Sequence, residues 1–181
     1  MPRLAFERPT VLALMGYPGA GKSTLARWLA DWIDKLQIVS RDVIRAAMFD
    51  PCFYTTAEEE AAFDATTSAI RTVIERGNSA VADGMCFFDV GPLEELRAIT
   101  IDSGAIFIPI YCAISVETAI VRVEEDRRMA RHSVAHRDAE LVRTIAANFR
   151  ALPADVITIE MENGTDTAGR ELLACLKFRG T

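Results

Sequence analysis

The chain has 181 residues and a mass of 19.9 kDa, with 50% apolar and 25% charged residues and a formal net charge of −6. That length fits one domain with a sizeable core and excludes two full domains. The composition excludes a disordered chain, a collagen-like repeat and a disulfide scaffold, and the acidic balance (pI ≈ 5.0) argues against nonspecific coating of nucleic acid.

The elements alternate along the whole chain. A continuous apolar run, Thr10 to Met15 (TVLALM), predicts a first strand. A Gly-rich turn and an amphipathic helix from Lys22 to about Lys35 follow it. A short strand is expected at Gln37 to Val39, then a helix from about Asp42 to Phe49, stopped before Pro51. Thr56 with Glu59 reads as a capping box for a helix that runs to Arg76 and ends at Gly77. Ala80 to Ala82, reaching Asp83, predicts the third strand, and Gly91-Pro92 opens a helix to Thr100. The apolar run Ala105 to Cys112 predicts the fourth strand. A long Arg-rich helical stretch, Val116 to Arg150, is expected to break near Arg131 to Arg137. Val156 to Glu160 and Asp166 to Phe178 give the last strand and helix.

Strands that are apolar on both faces lie between two helical layers, and right-handed crossovers then make the sheet parallel. The fold class expected is α/β, with ligands at the carboxyl ends of the strands. The four cysteines, Cys52, Cys86, Cys112 and Cys175, form no CxxC pair and read as small buried hydrophobes in a reducing compartment. No signal-peptide core opens the chain, and no apolar run approaches the ~18 residues that span a membrane. A cytoplasmic protein with no membrane contact is expected.

The strongest motif is Gly16 to Thr24, GYPGAGKST, which fits G-x-x-x-x-G-K-[ST] between a strand and a helix. Glycines let backbone N–H groups converge on an anion without a Cβ in the way. Gly16, Pro18, Gly19, Ala20 and Gly21 form the loop, and the helix N-terminus adds its dipole. Lys22 is positioned to reach the β- and γ-phosphates, Ser23 to ligate Mg²⁺ and Thr24 to support the α-phosphate. Neither an N/T-K-x-D tetrapeptide nor a D-x-x-G after the third strand is present, which favours ATP over GTP.

Ser40 to Arg45, SRDVIR, follows the second strand. Asp42 there can accept the proton of an attacking hydroxyl, or cap the helix, or both. Arg45 lies three residues on, where it can clamp an anionic acceptor group or pair with Asp42; Arg41 is expected to face elsewhere. Asp83 ends the third strand, where a carboxylate can hold Mg²⁺ through water or position the acceptor.

The chain carries 17 arginines and three lysines. Seven arginines (122, 127, 128, 131, 137, 143 and 150) crowd the stretch after the fourth strand, which reads as a lid. Arg127, Arg128 and Arg131 are the candidates for phosphate contact. His132 and His136 stand i,i+4 but lack a carboxylate ligand or an HExxH pattern. Tyr54 and Phe87 are candidates for a substrate wall among aromatics that otherwise read as core.

Together GYPGAGKSTLARWLA, VSRDVIRAAMF, AVADG and VRVEEDRRMAR resemble the small P-loop kinases of the AAA_33 (zeta-toxin-like) group, the polynucleotide 5′-kinase domains of bacteriophage among them. The resemblance covers most of residues 10–150. It implies a three-layer P-loop NTPase sandwich with a five-stranded parallel sheet in the order 2-3-1-4-5. It also implies Asp42 as general base, Arg45 as a contact to an acceptor phosphate, and Arg127 or Arg128 as the lid arginine on the transferred phosphate. The polynucleotide kinase pattern has Thr-Asn after the strand-three Asp and a second Asp in its R-D-D segment. This chain has Gly84-Met85 and Val43 instead.

The expectation is one P-loop kinase domain over residues 1–181 with a lid at about 122–140. ATP and Mg²⁺ are its cofactors, and the acceptor is a hydroxyl of a small molecule or, second, of a 5′-hydroxyl nucleic-acid end. Arg41, Asp42, Arg45 and Asp83 form the acceptor side. No obligate protein partner is evident. The alternative is an ATP-binding regulatory module that hydrolyses slowly and has no acceptor.

Overall fold

The computed structural model describes residues 3–85, 90–129, 138–149 and 152–179. In chain order the elements are β1 (Thr10–Met15), α1 (Lys22–Trp32), β2 (Leu36–Ser40), α2 (Arg41–Met48), α3 (Thr56–Glu75), β3 (Ser79–Asp83), α4 (Val90–Asp102), β4 (Ile106–Ala113), α5 (Val116–Arg128), α6 (Ala139–Asn148), β5 (Ile157–Glu160) and α7 (Thr165–Arg179). The sheet has five strands in the order β2-β3-β1-β4-β5, all parallel. This is the order that the resemblance implied.

The central strand explains the layering. All six residues of β1 are buried, and Leu12 lies between Val81 of β3 and Ile108 of β4. A strand with no solvent face must be covered on both sides. One core joins the sheet to α1, α5 and α7 through Leu14, Leu25, Leu29, Val123 and Leu172. The other joins it to α3 and α4 through Val11, Ala13, Ile70, Val73 and Leu96. The carboxyl ends of β1, β2 and β3 therefore open on one edge, where Gly16, Arg41 and Gly84 follow.

Several boundaries differ from the sequence expectation, each for a local reason. Helix α1 stops at Trp32 rather than Lys35. Ile33 is extended and bridges Leu4, while Arg3 donates to the carbonyls of Ala30 and Ile33 at 2.6 and 2.8 Å. An arginine at a helix C-terminus satisfies carbonyls that have no partner within the helix. The capping box of α3 is Thr55 with Glu58, not Thr56 with Glu59. The Thr55 hydroxyl accepts from Glu58 N at 3.3 Å, and the Glu58 carboxylate accepts from Thr55 N at 2.9 Å. Asp42 is not the N-cap of α2; that position is Ser40, and Asp42 lies in the first helical turn.

The Arg-rich stretch divides into α5 and α6. Residues 130–137, with Arg131, His132, His136 and Arg137, lie outside the described residues. So do Cys86, Phe87 and Phe88, and Arg150. Among the described residues no helix is long and apolar enough to cross a membrane.

Candidate active site

The phosphate loop is shaped by its backbone. Gly19 has φ +84, and a Cβ on it would stand 2.6 Å from the carbonyl oxygen of Ala119 and 3.0 Å from Val123 Cγ2. A bare backbone thus lets the loop lie directly on α5. Ala20 N donates to Tyr17 O at 3.1 Å, which closes the turn. Lys22 is 5% exposed, and its Nζ donates to the carbonyls of Gly16 and Tyr17 at 2.7 and 2.8 Å. Its ammonium is curled over the concave side of the loop. Pro18 and Ala20 are buried, Gly21 is half-buried and Thr24 is exposed.

Ser23 opens α1, and its hydroxyl donates to Asp83 Oδ1 at 3.1 Å. Asp83, 4% exposed, is thereby joined to the loop across the β1–β3 boundary. A hydroxyl and a carboxylate are hard oxygen donors of the kind Mg²⁺ takes. Among the described residues no group of three His, Cys, Asp or Glu side chains could hold a metal. A protein-only metal cage is thus not formed by them. This pattern suits an ion that keeps waters and phosphate oxygens as its other ligands.

The start of α2 meets the same edge through Gly84. Its φ is +77, and a Cβ there would lie 2.9 Å from Asp42 N and 3.2 Å from Asp42 Oδ2. The first turn of α2 rests on the end of β3, and Asp42 Oδ2 faces the residue next to Asp83. The other oxygen, Oδ1, is ion-paired with Arg45. Arg45 is 8% exposed. It also pairs with Glu59 of α3 and lies over the Tyr54 ring, 4.7 Å from its centroid. Burial pushes the Tyr54 hydroxyl up from its ordinary pKa, partly opposed by the Arg45 charge.

Arg41 pairs with Glu59 too. It does not face elsewhere, as the sequence reading had it. Arg41 and Arg45 are four residues apart and share one helix face. Glu59 was read as a capping residue, and its role here was missed. The i,i+4 spacing of the two arginines was the available signal that one partner could serve both.

Ala119, Val123 and Arg127 follow one another at four-residue steps, and the first two touch Gly19. Arg127 and Arg128 lie in the exposed last turn of α5. Arg128 Nε donates back to the Glu124 carbonyl at 3.4 Å. Arg122, singled out only as one of seven, has an Nη1 3.9 Å from where a Gly21 Cβ would sit. Its Nη2 donates to Met161 O at 3.2 Å. Tyr17 of the loop packs edge-on against Phe149, which ends α6, at 5.5 Å. Tyr111 of β4 packs against the same ring at 5.3 Å. Burial pushes the Tyr111 hydroxyl up to about 12, with Tyr17 beside it adding to the shift.

A sequence model of the AAA_33 family, described as an AAA domain, matches residues 11–152. The chain belongs to this family. No curated protein matches the chain. Among solved structures, the Pnkp1/Rnl/Hen1 RNA repair complex has a chain that is 18% identical, with a TM-score of 0.68. That match covers 78% of this chain and 44% of the other, so this AAA_33 chain spans less than half of that partner's length. The APS kinase CysC of Mycobacterium tuberculosis, in complex with AMPPNP and APS, is 14% identical with a TM-score of 0.68, covering 94% and 98% of the two chains. A gluconokinase from Sinorhizobium meliloti 1021 is 15% identical with a TM-score of 0.69, covering 96% and 95%. At these identities the likeness shows the fold, a P-loop NTPase-like α/β sandwich.

Proposed function

We propose that this AAA_33 protein is an ATP-dependent kinase that transfers the γ-phosphoryl group to a hydroxyl. The observation that carries the reading is the close approach at Gly84. There the Asp42 carboxylate stands beside Gly84, the chain neighbour of the Asp83 that is joined to the phosphate-loop serine. Transfer needs a nucleotide cradle and a proton acceptor on opposite sides of one reacting phosphorus. The Asp83–Ser23 pair and Asp42 supply the two sides. Kinases among the fold neighbours, one of them bound to AMPPNP, support the same reading.

The roles follow from the chemistry of each side chain. Loop N–H groups hold the phosphates, and Lys22 exchanges its two carbonyl partners for β- and γ-oxygens. Ser23 and Asp83 would hold Mg²⁺, which when bound screens the charge on the phosphates. Asp42 Oδ2 orients the acceptor hydroxyl and takes its proton as the oxygen attacks phosphorus. The P–O bond to the β-phosphate breaks and ADP leaves with that electron pair. Of the two lid arginines, Arg127 continues the stripe of α5 that touches the loop, whereas Arg128 lies on the far side of the helix. Arg127 is therefore the one proposed to face the transferred phosphate, with Arg122 on the nucleotide side.

Incubation with γ-labelled ATP and Mg²⁺ against a panel of hydroxyl compounds tests the reading. Asp42→Ala is expected to keep nucleotide affinity and lower turnover by about 10²- to 10⁴-fold. Lys22→Ala is expected to weaken both. Near-normal turnover in Asp42→Ala would remove the base assignment. Nucleotide binding with no labelled product from any acceptor would instead favour a slowly hydrolysing regulatory module.

A further inference from the structure

Four charged side chains on the acceptor side cancel one another. Arg45 Nη1 pairs with Glu59 Oε1, Arg45 Nη2 with Asp42 Oδ1, and Arg41 Nη2 with Glu59 Oε2. Arg41 also reaches the Glu59 carbonyl at 3.4 Å. Two guanidinium groups thus face two carboxylates. Glu59 is free for this because its neighbour Glu58 takes the capping role on α3. Arg45 is enclosed by both carboxylates and the Tyr54 ring and has little surface left.

We propose that Glu59 is the built-in counter-ion of Arg41 and Arg45, and that it sets this subsite for an uncharged, hydroxyl-bearing small molecule. The proposal rests on the kinase reading for the meaning of the subsite. Arg45 is then a positioning residue that holds Asp42 Oδ1 and leaves Oδ2 to the acceptor; it is not a clamp for an acceptor phosphate. An anionic acceptor group would have to displace Glu59, or add negative charge beside Glu59 and Asp42 in a partly desolvated place. The γ-phosphate brought to the same edge by ATP makes that worse. An uncharged polyol or sugar meets neither cost and needs only the Asp42 oxygen that Arg45 does not hold.

The test is calorimetric titration of inorganic phosphate into protein already saturated with Mg²⁺ and AMPPNP, so that the phosphate loop is filled. Wild-type protein is expected to show no phosphate binding that depends on Arg45. Glu59→Gln should bind phosphate at least about tenfold more tightly than wild type, because the arginines lose their counter-ion. Glu59→Asp, which keeps the charge, should not gain binding, and Glu59→Gln with Arg45→Met should lose the gain. A wild-type affinity for phosphate that Arg45→Met abolishes would overturn the proposal. So would a folded Glu59→Gln protein with no gain. Where Glu59→Gln does not fold, the comparison of wild type with Arg45→Met still decides. Failure of AMPPNP to bind would count against the kinase reading alone. The phosphate arm would then be run on Lys22→Ala, where the loop is disabled.

Discussion

The phosphate loop and the proposed acceptor side share one edge of the sheet, yet they are held in opposite ways. The loop is a backbone structure. Its lysine bonds to carbonyls, its turn is closed by an amide, and its glycine lies against the backbone of α5. The acceptor side is a side-chain structure, in which an ion pair within α2 and two between α2 and α3 set where Asp42 points. A backbone cradle can be damaged by a single methyl group but barely retuned. A charge cluster can be retuned by a single substitution while the fold stands. On the proposed kinase reading, the fixed chemistry of ATP sits on the rigid half, and the choice of acceptor on the adjustable half.

The sharpest way to break this contrast is Gly19→Ala. The new Cβ would meet a backbone oxygen at 2.6 Å, at a φ of +84 that L side chains rarely adopt. Left-handed strain and overpacking together are expected to cost about 2–4 kcal/mol. Urea unfolding should show that loss, and nucleotide titration should show weakened binding. Phosphate binding in a Gly19→Ala, Glu59→Gln double variant should persist, since the arginine pair is carried by α2 and faces α3. A Gly19→Ala protein with wild-type stability and nucleotide affinity would mean that the loop is not held by its backbone fit to α5.

The same division explains what the sequence revealed. The loop was legible because a backbone cradle needs glycines at fixed spacing, and that spacing is local. The strand set was legible because Thr10–Met15, Ser79–Asp83 and Ile106–Ala113 are compact, mostly apolar runs. The sheet order came with the family resemblance. Glu59 was not legible as the partner of Arg41 and Arg45, because it lies 18 and 14 residues from them on another helix. The run TTAEEE made matters worse, since it offers two capping registers one residue apart. The structure takes Thr55–Glu58, and that choice is what turns Glu59 toward α2. Asp42 and Gly84 were each noticed, but their contact depends on how α2 packs on β3.

A smaller effect is expected on the side of the molecule away from the acceptor. Gly169 of α7 lies against Trp28 of α1, where an added Cβ would meet the indole at 2.4–2.6 Å. The indole is held by stacking on Trp32 and by a hydrogen bond from Nε1 to Asp166 at 3.2 Å. Alanine gains up to ~1 kcal/mol in helix propensity over glycine, whereas overpacking costs about 1–3 kcal/mol. Gly169→Ala should therefore destabilise the fold by about 1–2 kcal/mol and leave nucleotide affinity unchanged. Stabilisation on thermal melting would mean that the indole moves freely. A change in nucleotide affinity would mean that the back layer reaches the loop.

The smallest effect concerns the capping box that frees Glu59. The Thr55 backbone N–H lowers the Glu58 pKa from its ordinary 4.5, and the N–H of Phe53 adds to this. A carboxyl whose folded pKa is depressed contributes stability above its unfolded pKa and loses it as pH falls through the folded value. Glu58→Gln keeps an acceptor oxygen but not the charge. The melting temperatures of wild type and Glu58→Gln should differ most at neutral pH, with wild type higher, and converge as pH falls below about 4.5. A gap that stays constant down to acid pH would assign the cap to hydrogen bonding alone, with no role for the charge. Convergence would also bring a second consequence. A protonated Glu58 keeps a carbonyl oxygen for the Thr55 and Phe53 amides but loses the charge that strengthens those bonds, so the start of α3 loosens and Glu59 is held less firmly toward Arg41 and Arg45. The proposed selectivity is then tied to a cap, Thr55–Glu58, that lies one residue from the counter-ion.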